Sequence, residues 1–385
     1  MDLLNPMWAE INIDNLIFNI NQIKMKAKNS EIIGVVKANA YGHGAIEISK
    51  ILINNGIKKL AVANVVEGIE LRENGINTNI MLLGLSTNIS IPSILKYNLE
   101  PTVSSYEFAY ALNDEAKKLN KTINIHIAID SGMGRIGFRN KDESIEEIEK
   151  IFLLSNIKVE SIFSHFSTAD AKDKSYSYEQ MNIYNKILND LEARNIKLPK
   201  KNLSNSAAII DLEETHFNYI RPGIILYGYY PSNEVRKDNF EIRPVLTWKT
   251  KVIYIKEVEE NQYIGYNKSY KTSKKTKIAT IPVGYADGYS RGLSNKGKVI
   301  INGKFAPIIG NICMDQFMVD VTDIDDIKLE DEVILLGAAG DIKFDADDMA
   351  KLLNTISYEI LCLIGRRAPR IYLKNSNTVD IKYQM

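Results

Sequence analysis

Hydrophobic and polar positions follow two different patterns along this chain, and the change between them comes near Tyr230. Before it, short apolar runs alternate with longer stretches whose apolar residues recur every three or four positions, the signature of strands alternating with amphipathic helices. Residues 7–13 alternate like a strand, and Asp14 is placed to cap a helix carrying Leu16, Ile17, Ile20 and Ile23 on one face. A run at 32–36 comes next, apolar apart from Gly34. Helices are then predicted over 45–54, 66–73, 91–97, 105–119, 144–155, 178–194 and 207–212. Each leads into a strand, at 60–63, 80–83, 101–103, 123–129, 159–163, 202–204 and 217–220. The run at 32–36 has no polar residue on alternate positions, as expected where helices cover both faces of a parallel sheet. Counted from the run at 32–36 there are eight βα units, which fits a (β/α)₈ TIM-type barrel better than a doubly wound open sheet.

Past Tyr230, prolines intervene and the long helices stop. Strands are predicted at 245–258, 277–283, 299–301, 305–309, 317–321 and 332–336, with Asn302-Gly303 as a hairpin turn and a single helix over 345–353 capped by Asp345. The chain of 385 residues exceeds what one hydrophobic core supports. The expected architecture is α/β: a barrel over residues 1–240 and a second, mostly β domain over 241–385, with residues 1–12 able to pack with the β domain.

Composition narrows the function. Lys+Arg and Asp+Glu both number 48, and the basic residues form no stripe, so a nucleic-acid partner is not indicated. The opening Met1-Asp2-Leu3-Leu4-Asn5 lacks a basic segment followed by a long apolar one, so a cytoplasmic protein without a membrane anchor is expected. Cys313 and Cys362 are too few for a disulfide framework or a structural zinc site, and both read as small buried hydrophobes. No metal is called for.

In a (β/α)₈ barrel the reactive residues sit just after each strand. Lys37 follows the first strand, and alone it reads best as a lysine reaching solvent. After the seventh strand comes Ser204-Asn205-Ser206-Ala207-Ala208, and after the eighth Arg221-Pro222-Gly223-Ile224. Each supplies free backbone N–H groups suited to an anion, although either alone reads equally well as capping and turn residues. A lysine facing a phosphate site suggests pyridoxal 5'-phosphate. The fifth strand ends in Asp130-Ser131-Gly132-Met133-Gly134-Arg135, and the sixth in Ser164-His165. His165 at a strand end is a site candidate, His126 inside a strand reads as a core histidine, and His43 and His216 as surface residues. In the second domain Ile264-Gly265-Tyr266-Asn267, Gly284-Tyr285-Ala286-Asp287-Gly288 and Asn311-Ile312-Cys313-Met314-Asp315 each join a turn to polar side chains.

Taken together and in order, these segments resemble the alanine racemase family over nearly the whole chain. Val35-Val36-Lys37-Ala38-Asn39-Ala40-Tyr41-Gly42-His43-Gly44 carries the likeness most specifically, with Gly-Tyr-Ala-Asp-Gly at 284–288 and Cys-Met-Asp-Gln at 313–316. The resemblance implies that Lys37 holds pyridoxal phosphate as an internal aldimine and that Tyr41, Asn205, Ser206, Gly223, Ile224 and Tyr358 surround its phosphate. It also implies Arg221 at the pyridine nitrogen, Arg135 near the ring hydroxyl, and His165 beside the ring. Tyr266, Tyr285, Met314 and Asp315 are implied to come from the second subunit of a homodimer with shared sites, with Arg135, Tyr285, Met314 and Asp315 touching substrate. Lys37 and Tyr266 would then act as bases on opposite faces, interconverting L- and D-alanine to supply D-alanine for peptidoglycan. One position departs from the pattern: Ala128 stands seven residues before Arg135, where many relatives carry a carbamylated lysine that supports that arginine. A related racemase acting on serine is the nearest rival. A non-catalytic pyridoxal-phosphate-binding barrel is a more distant one, and it would lack the second domain.

Overall fold

The computed structural model describes residues 4–383; Met1, Asp2 and Leu3, which head the opening segment, and the last two residues lie outside them. The described residues form two compact units, one of residues 16–40 and 45–243, the other of residues 4–15, 41–44 and 244–383.

The first strand, β1 (Trp8–Asn12), belongs to the second unit. The first unit holds β2 (Glu31–Val35), β3 (Lys59–Val62), β4 (Asn79–Leu85), β5 (Glu100–Val103), β6 (Ile123–Ala128), β7 (Ile157–Phe163), β8 (Lys200–Asn202) and β9 (Tyr219–Ile220). Each pairs with the next in parallel, and β2 closes the barrel on β9 with Glu31 opposite Tyr219 and Ile32 opposite Ile220. Each of the eight expected runs overlaps one barrel strand, β8 only at Asn202. Side chains such as Ile33, Leu60, Ile80, Ile127 and Ile162 are fully buried, and each stabilises the fold by about 1.5–3 kcal/mol relative to an exposed position. Helix Ile13–Lys26 begins two residues earlier than a cap at Asp14 implies. Asn12 Oδ1 accepts from the Asn15 N–H at 2.9 Å, the capping role assigned to Asp14, while Asp14 accepts from the Asn375 N–H.

The second unit is built on an eleven-stranded sheet. Its strands after β1 are β10 (Leu246–Lys251), β11 (Tyr254–Val258), β14 (Thr276–Ile281), β15 (Lys298–Ile301), β16 (Lys304–Ile309), β17 (Phe317–Asp320), β18 (Glu332–Ala339), β19 (Ile342–Phe344), β20 (Arg370–Lys374) and β21 (Asn377–Lys382), while β12 (Tyr263–Ile264) and β13 (Tyr270–Lys271) form a separate pair. The order is β11-β14-β17-β16-β15-β18-β10-β1-β20-β21, with β19 beside β18. β1 lies near one end of this order, antiparallel to β10 and parallel to β20. The expected strand 245–258 is two strands, because the chain leaves β10 at Val252 and starts a new ladder with β14. Asn302 and Gly303 both adopt positive φ, 48° and 71°, which suits a two-residue hairpin of the twist that strands prefer. In the core Trp248 meets Tyr289 at a tilt, with centroids 5.7 Å apart, and Tyr289 stacks on Phe317 at 5.0 Å.

Several expectations are corrected by the fold. A second helix, Ser357–Leu363, follows Ala346–Leu353. Cys362 is exposed and Cys313 half-buried, so neither is a core hydrophobe. His43 is fully buried, with its Nδ1 2.8 Å from the Tyr41 carbonyl, because the turn after β2 folds inward; His216 is half-buried, its Nε2 3.1 Å from the Ile209 carbonyl. Among the described residues, no helix is long and apolar enough to cross a membrane, and no group of His, Cys, Asp and Glu side chains is arranged to hold a metal.

Candidate active site

In the barrel unit the C-terminal strand ends gather cations around one histidine. Arg221, just after β9, is 4 % exposed. Its guanidinium donates to the carbonyls of Ser164 at 2.7 Å and Leu203 at 3.4 Å, to Asn202 Oδ1, and to His165 Nδ1 at 3.2 Å, and it lies 5.3 Å from the centre of the Phe163 ring. Among the described residues no carboxylate pairs with it. Burial pushes Arg221 down to about 10, so it remains a cation at neutral pH. An arginine only donates, so His165 Nδ1 must accept, and a neutral ring then carries its hydrogen on Nε2. His165 is indeed held neutral: burial sets its imidazole well below the usual range, and the charges of Arg221, Arg135 and Lys37 push the same way. Three positive charges thus converge on one neutral ring. The two arginines, with no carboxylate partner among the described residues, call for an anion to compensate them.

The two loops expected to bind an anion meet in this unit. Asn205 caps helix Ser206–Asp211, its Oδ1 accepting from the Ala208 N–H at 3.0 Å. Ser206 Oγ accepts from the Gly223 N–H at 2.9 Å, which ties the loop after β8 to the loop after β9; Ser206 is 5 % exposed and Ile224 fully buried. Arg135 stands on an exposed loop, where Asp130 Oδ1 accepts from Gly132 and Gly134 N–H groups. Among the described residues Arg135 has no carboxylate partner. Ala128 is buried in β6, with its carbonyl accepting from the Phe138 N–H.

Lys37 is half-buried and comes two residues after β2. The backbone just past it is unusual: Ala38, Asn39, Ala40 and Tyr41 have φ of 52°, 53°, 53° and 52°, one turn of left-handed helix made of residues with side chains. L-residues pay roughly 1–2 kcal/mol each for that conformation. Here the chain passes into the second unit at Tyr41 and returns at Ala45. Gly42 continues with φ of 81°, and any side chain there would meet the Leu361 carbonyl.

The second unit assembles the remaining candidates separately. Tyr41 meets Tyr358 with ring centroids 6.1 Å apart, and burial first, then Tyr358 and Cys362, raise the Tyr41 hydroxyl. The three weak segments of the C-terminal half come together: Tyr285 and Ala286 N–H groups donate to the carbonyls of Cys313 and Met314, and Asn311 Nδ2 donates to the Tyr266 carbonyl at 2.9 Å. Arg367 pairs with Asp315 at 2.7 Å and with Asp287 at 3.4 Å. Tyr266, Tyr285 and Met314 are 69 %, 44 % and 52 % exposed in the single chain. Arg367 and Asn202 escaped the sequence reading. Asn202 ends β8, so the strand-end rule that found His165 applied to it equally.

The N-terminal domain model of alanine racemase matches residues 11–231, and the C-terminal domain model of alanine racemase matches residues 245–372. The chain belongs to the alanine racemase family. It is 53 % identical to the alanine racemase of Clostridium kluyveri over 98 % of this chain and 96 % of that one. The solved alanine racemase of Clostridium difficile 630 superposes with a TM-score of 0.95 at 44 % identity, covering all of both chains. A solved alanine racemase from Bartonella henselae, with covalently bound pyridoxal phosphate, gives 0.85 at 28 % identity over 95 % of this chain and 99 % of that one. Membership of the alanine racemase family makes the chain an amino-acid racemase, an isomerase, and accounts for the barrel joined to a mostly β unit.

Proposed function

We propose that this chain interconverts L-alanine and D-alanine on pyridoxal 5'-phosphate held by Lys37, in a homodimer whose sites are completed by Tyr266, Tyr285, Met314 and Asp315 of a second copy, and that the D-alanine serves peptidoglycan. The observation that carries the reading is the convergence of Arg221, Arg135 and Lys37 on a neutral His165, with neither arginine paired to a carboxylate among the described residues. Its chemistry fits an anionic, aromatic cofactor: the two arginines call for negative charge, and the buried Ser206–Gly223 junction offers a hydroxyl beside backbone N–H groups. The covalent cofactor of the Bartonella henselae relative supports a lysine attachment. Asn205, Ser206, Gly223, Ile224, Tyr41 and Tyr358 would hold the phosphate, and Arg221 the ring nitrogen.

When bound, the cofactor supplies a conjugated electron sink that makes the α-proton of an amino acid acidic. Lys37 Nζ would take or return that proton on one face and Tyr266 Oη on the other. An ordinary lysine and tyrosine titrate near about 10.4 and about 10, so both depend on their surroundings to exchange protons at neutral pH. His165 Nε2–H is the donor left free by the Arg221 bond, and it is suited to stabilise the Tyr266 phenolate. Arg221 keeps its own proton and would leave a ring nitrogen held beside it unprotonated, which would weaken the electron sink and restrain side reactions. Tyr285 and Tyr358 favour a substrate side chain as small as methyl. The exposure of Tyr266, Tyr285 and Met314 in one chain supports a second copy that covers them.

The test is conversion of each alanine enantiomer by the purified protein, with cofactor absorbance recorded before and after borohydride. Borohydride should fix the cofactor on Lys37, and Lys37→Ala should lose both attachment and at least about a thousandfold of the activity. Fixation on another lysine, or failure to convert alanine, would overturn the reading.

A further inference from the structure

Helix Val65–Glu73 opens with Asn64-Val65-Val66-Glu67, the arrangement in which a capping side chain and a carboxylate three residues later normally satisfy each other's backbone N–H groups. Only half of that exchange is made. Asn64 Oδ1 accepts from the Glu67 N–H at 3.1 Å, but the Glu67 carboxylate goes elsewhere: Oε2 accepts from the Ala63 N–H at 2.6 Å and Oε1 from the Ala38 N–H at 2.8 Å. Ala38 is the residue after Lys37, and it opens the left-handed turn. Ala63 is itself fixed, because its carbonyl accepts from the Gly84 N–H at 3.0 Å in β4, at a glycine where a Cβ would come within 2.6 Å of that oxygen. The other end of the turn is held by Asn39 Oδ1, which accepts from the Ala45 N–H at 2.9 Å.

We propose that Glu67 is a positioning residue for Lys37: its carboxylate clamps the strained left-handed turn to the ends of β3 and β4 and so fixes where the lysine amine points. The inference rests on the proposed role of Lys37. Physically, four residues in a disfavoured conformation persist only where their surroundings over-determine them, and a carboxylate accepting two N–H groups is a charge-assisted restraint of that kind. An amine that must first hold the cofactor and then exchange a proton at one face gains most from that restraint.

The experiment compares holoenzyme with Glu67→Ala, Glu67→Gln and, as a control on the same helix, Glu70→Gln. Glutamine keeps one acceptor and loses the other, so the Gln variant should fall between wild type and Ala. Amide hydrogen exchange across residues 36–45 should quicken by about ten- to a hundredfold in Glu67→Ala, the loss expected for charge-assisted bonds, and stay unchanged in Glu70→Gln. The kcat should drop by about tenfold or more while KM stays within about threefold, since geometry and not binding is lost. Unchanged exchange over 36–45 in both Glu67 variants, or a loss confined to KM, would overturn the clamp. Borohydride mapping of wild type separates the two claims: fixation away from Lys37 would sink the cofactor assignment and the purpose of the clamp, while the exchange data would still register the restraint itself.

Discussion

The two ends of the barrel each bury a histidine among charged groups, and they resolve the charge in opposite ways. At the N-terminal end, Lys59 lies 2.6 Å from Glu100 and 3.4 Å from Glu160, His126 bridges Glu100 at 3.0 Å and Ser161 at 2.6 Å, and the Tyr219 hydroxyl donates to Glu160 at 2.7 Å. Lys200 adds a second cation toward Glu160 and Glu31. Every cation there has an anion of the same chain. At the C-terminal end, Arg221, Arg135 and Lys37 surround His165, and Arg221 is held by carbonyls, an amide and an imidazole. One end is an internally neutralised plug that needs nothing further. The other leaves two arginines without a carboxylate among the described residues, a deficit of negative charge that a ligand can fill.

Breaking the deficient end should matter most. In Arg221→Glu the cluster gains its missing anion from the protein, and activity should fall by about a thousandfold, worth about 4 kcal/mol of barrier. Long-wavelength cofactor absorbance should also rise during turnover, because a ring nitrogen facing a carboxylate can hold a proton. Arg221→Lys, which keeps the charge but loses the fork, serves as the milder comparison; unaltered spectra in both would sink the account of Arg221.

The paired end should show the converse. Glu100→Gln leaves Lys59 with the more distant glutamate alone, and chemical denaturation should register a loss of about 3 kcal/mol with kcat unchanged well below the melting temperature. A fall in kcat without a fall in stability would show that the plug reaches the site.

Acidification should have the smallest effect, and its direction follows from the histidines. Burial lowers both His126 and His165 below the ordinary value of 6.5, so the unfolded chain binds more protons than the folded one below that pH. Their contribution is complete above about pH 6.5 and is lost as pH falls below it, by about 1–2 kcal/mol on the way to pH 5.5. Glu100 acts lower down. Burial would raise it, but His126 and Lys59 outweigh that and bring it to about 2, so its contribution is lost only between about pH 4.5 and 2. Denaturation midpoints across that range check both steps, and a midpoint flat down to pH 5 would contradict the histidine part.

The sequence was most legible where packing leaves a plain mark. Most barrel strands, covered on both faces, read as apolar runs, while β8 opens with Lys200 and Lys201 and met its expected run only at Asn202; the strand-end rule led to Lys37, His165 and Arg221. It was least legible where polar groups do structural work. Arg370 is fully buried inside the β unit and donates to the carbonyls of Gly42, Ile364, Gly365 and Ala368, so β20 opens with a charge and was passed over. Helix Ser357–Leu363 is too short for a periodic face, and β12 and β13 have two residues each. The left-handed turn after Lys37 was invisible because alanine and tyrosine give no warning of positive φ. The diverted carboxylate of Glu67 was hidden behind an ordinary capping signature.

The place of β1 has a consequence for how the molecule is made. That strand emerges from the ribosome before the barrel, yet its neighbours β10 and β20 lie about 240 and 360 residues later in the chain. At about 5–20 residues per second, its edges stay unpaired for roughly ten seconds to a minute while the whole barrel is synthesised. The β unit must therefore recapture a strand made before the barrel. An extension fused at the N-terminus would burden the β unit at the far end of the sequence, and leave the barrel largely untouched.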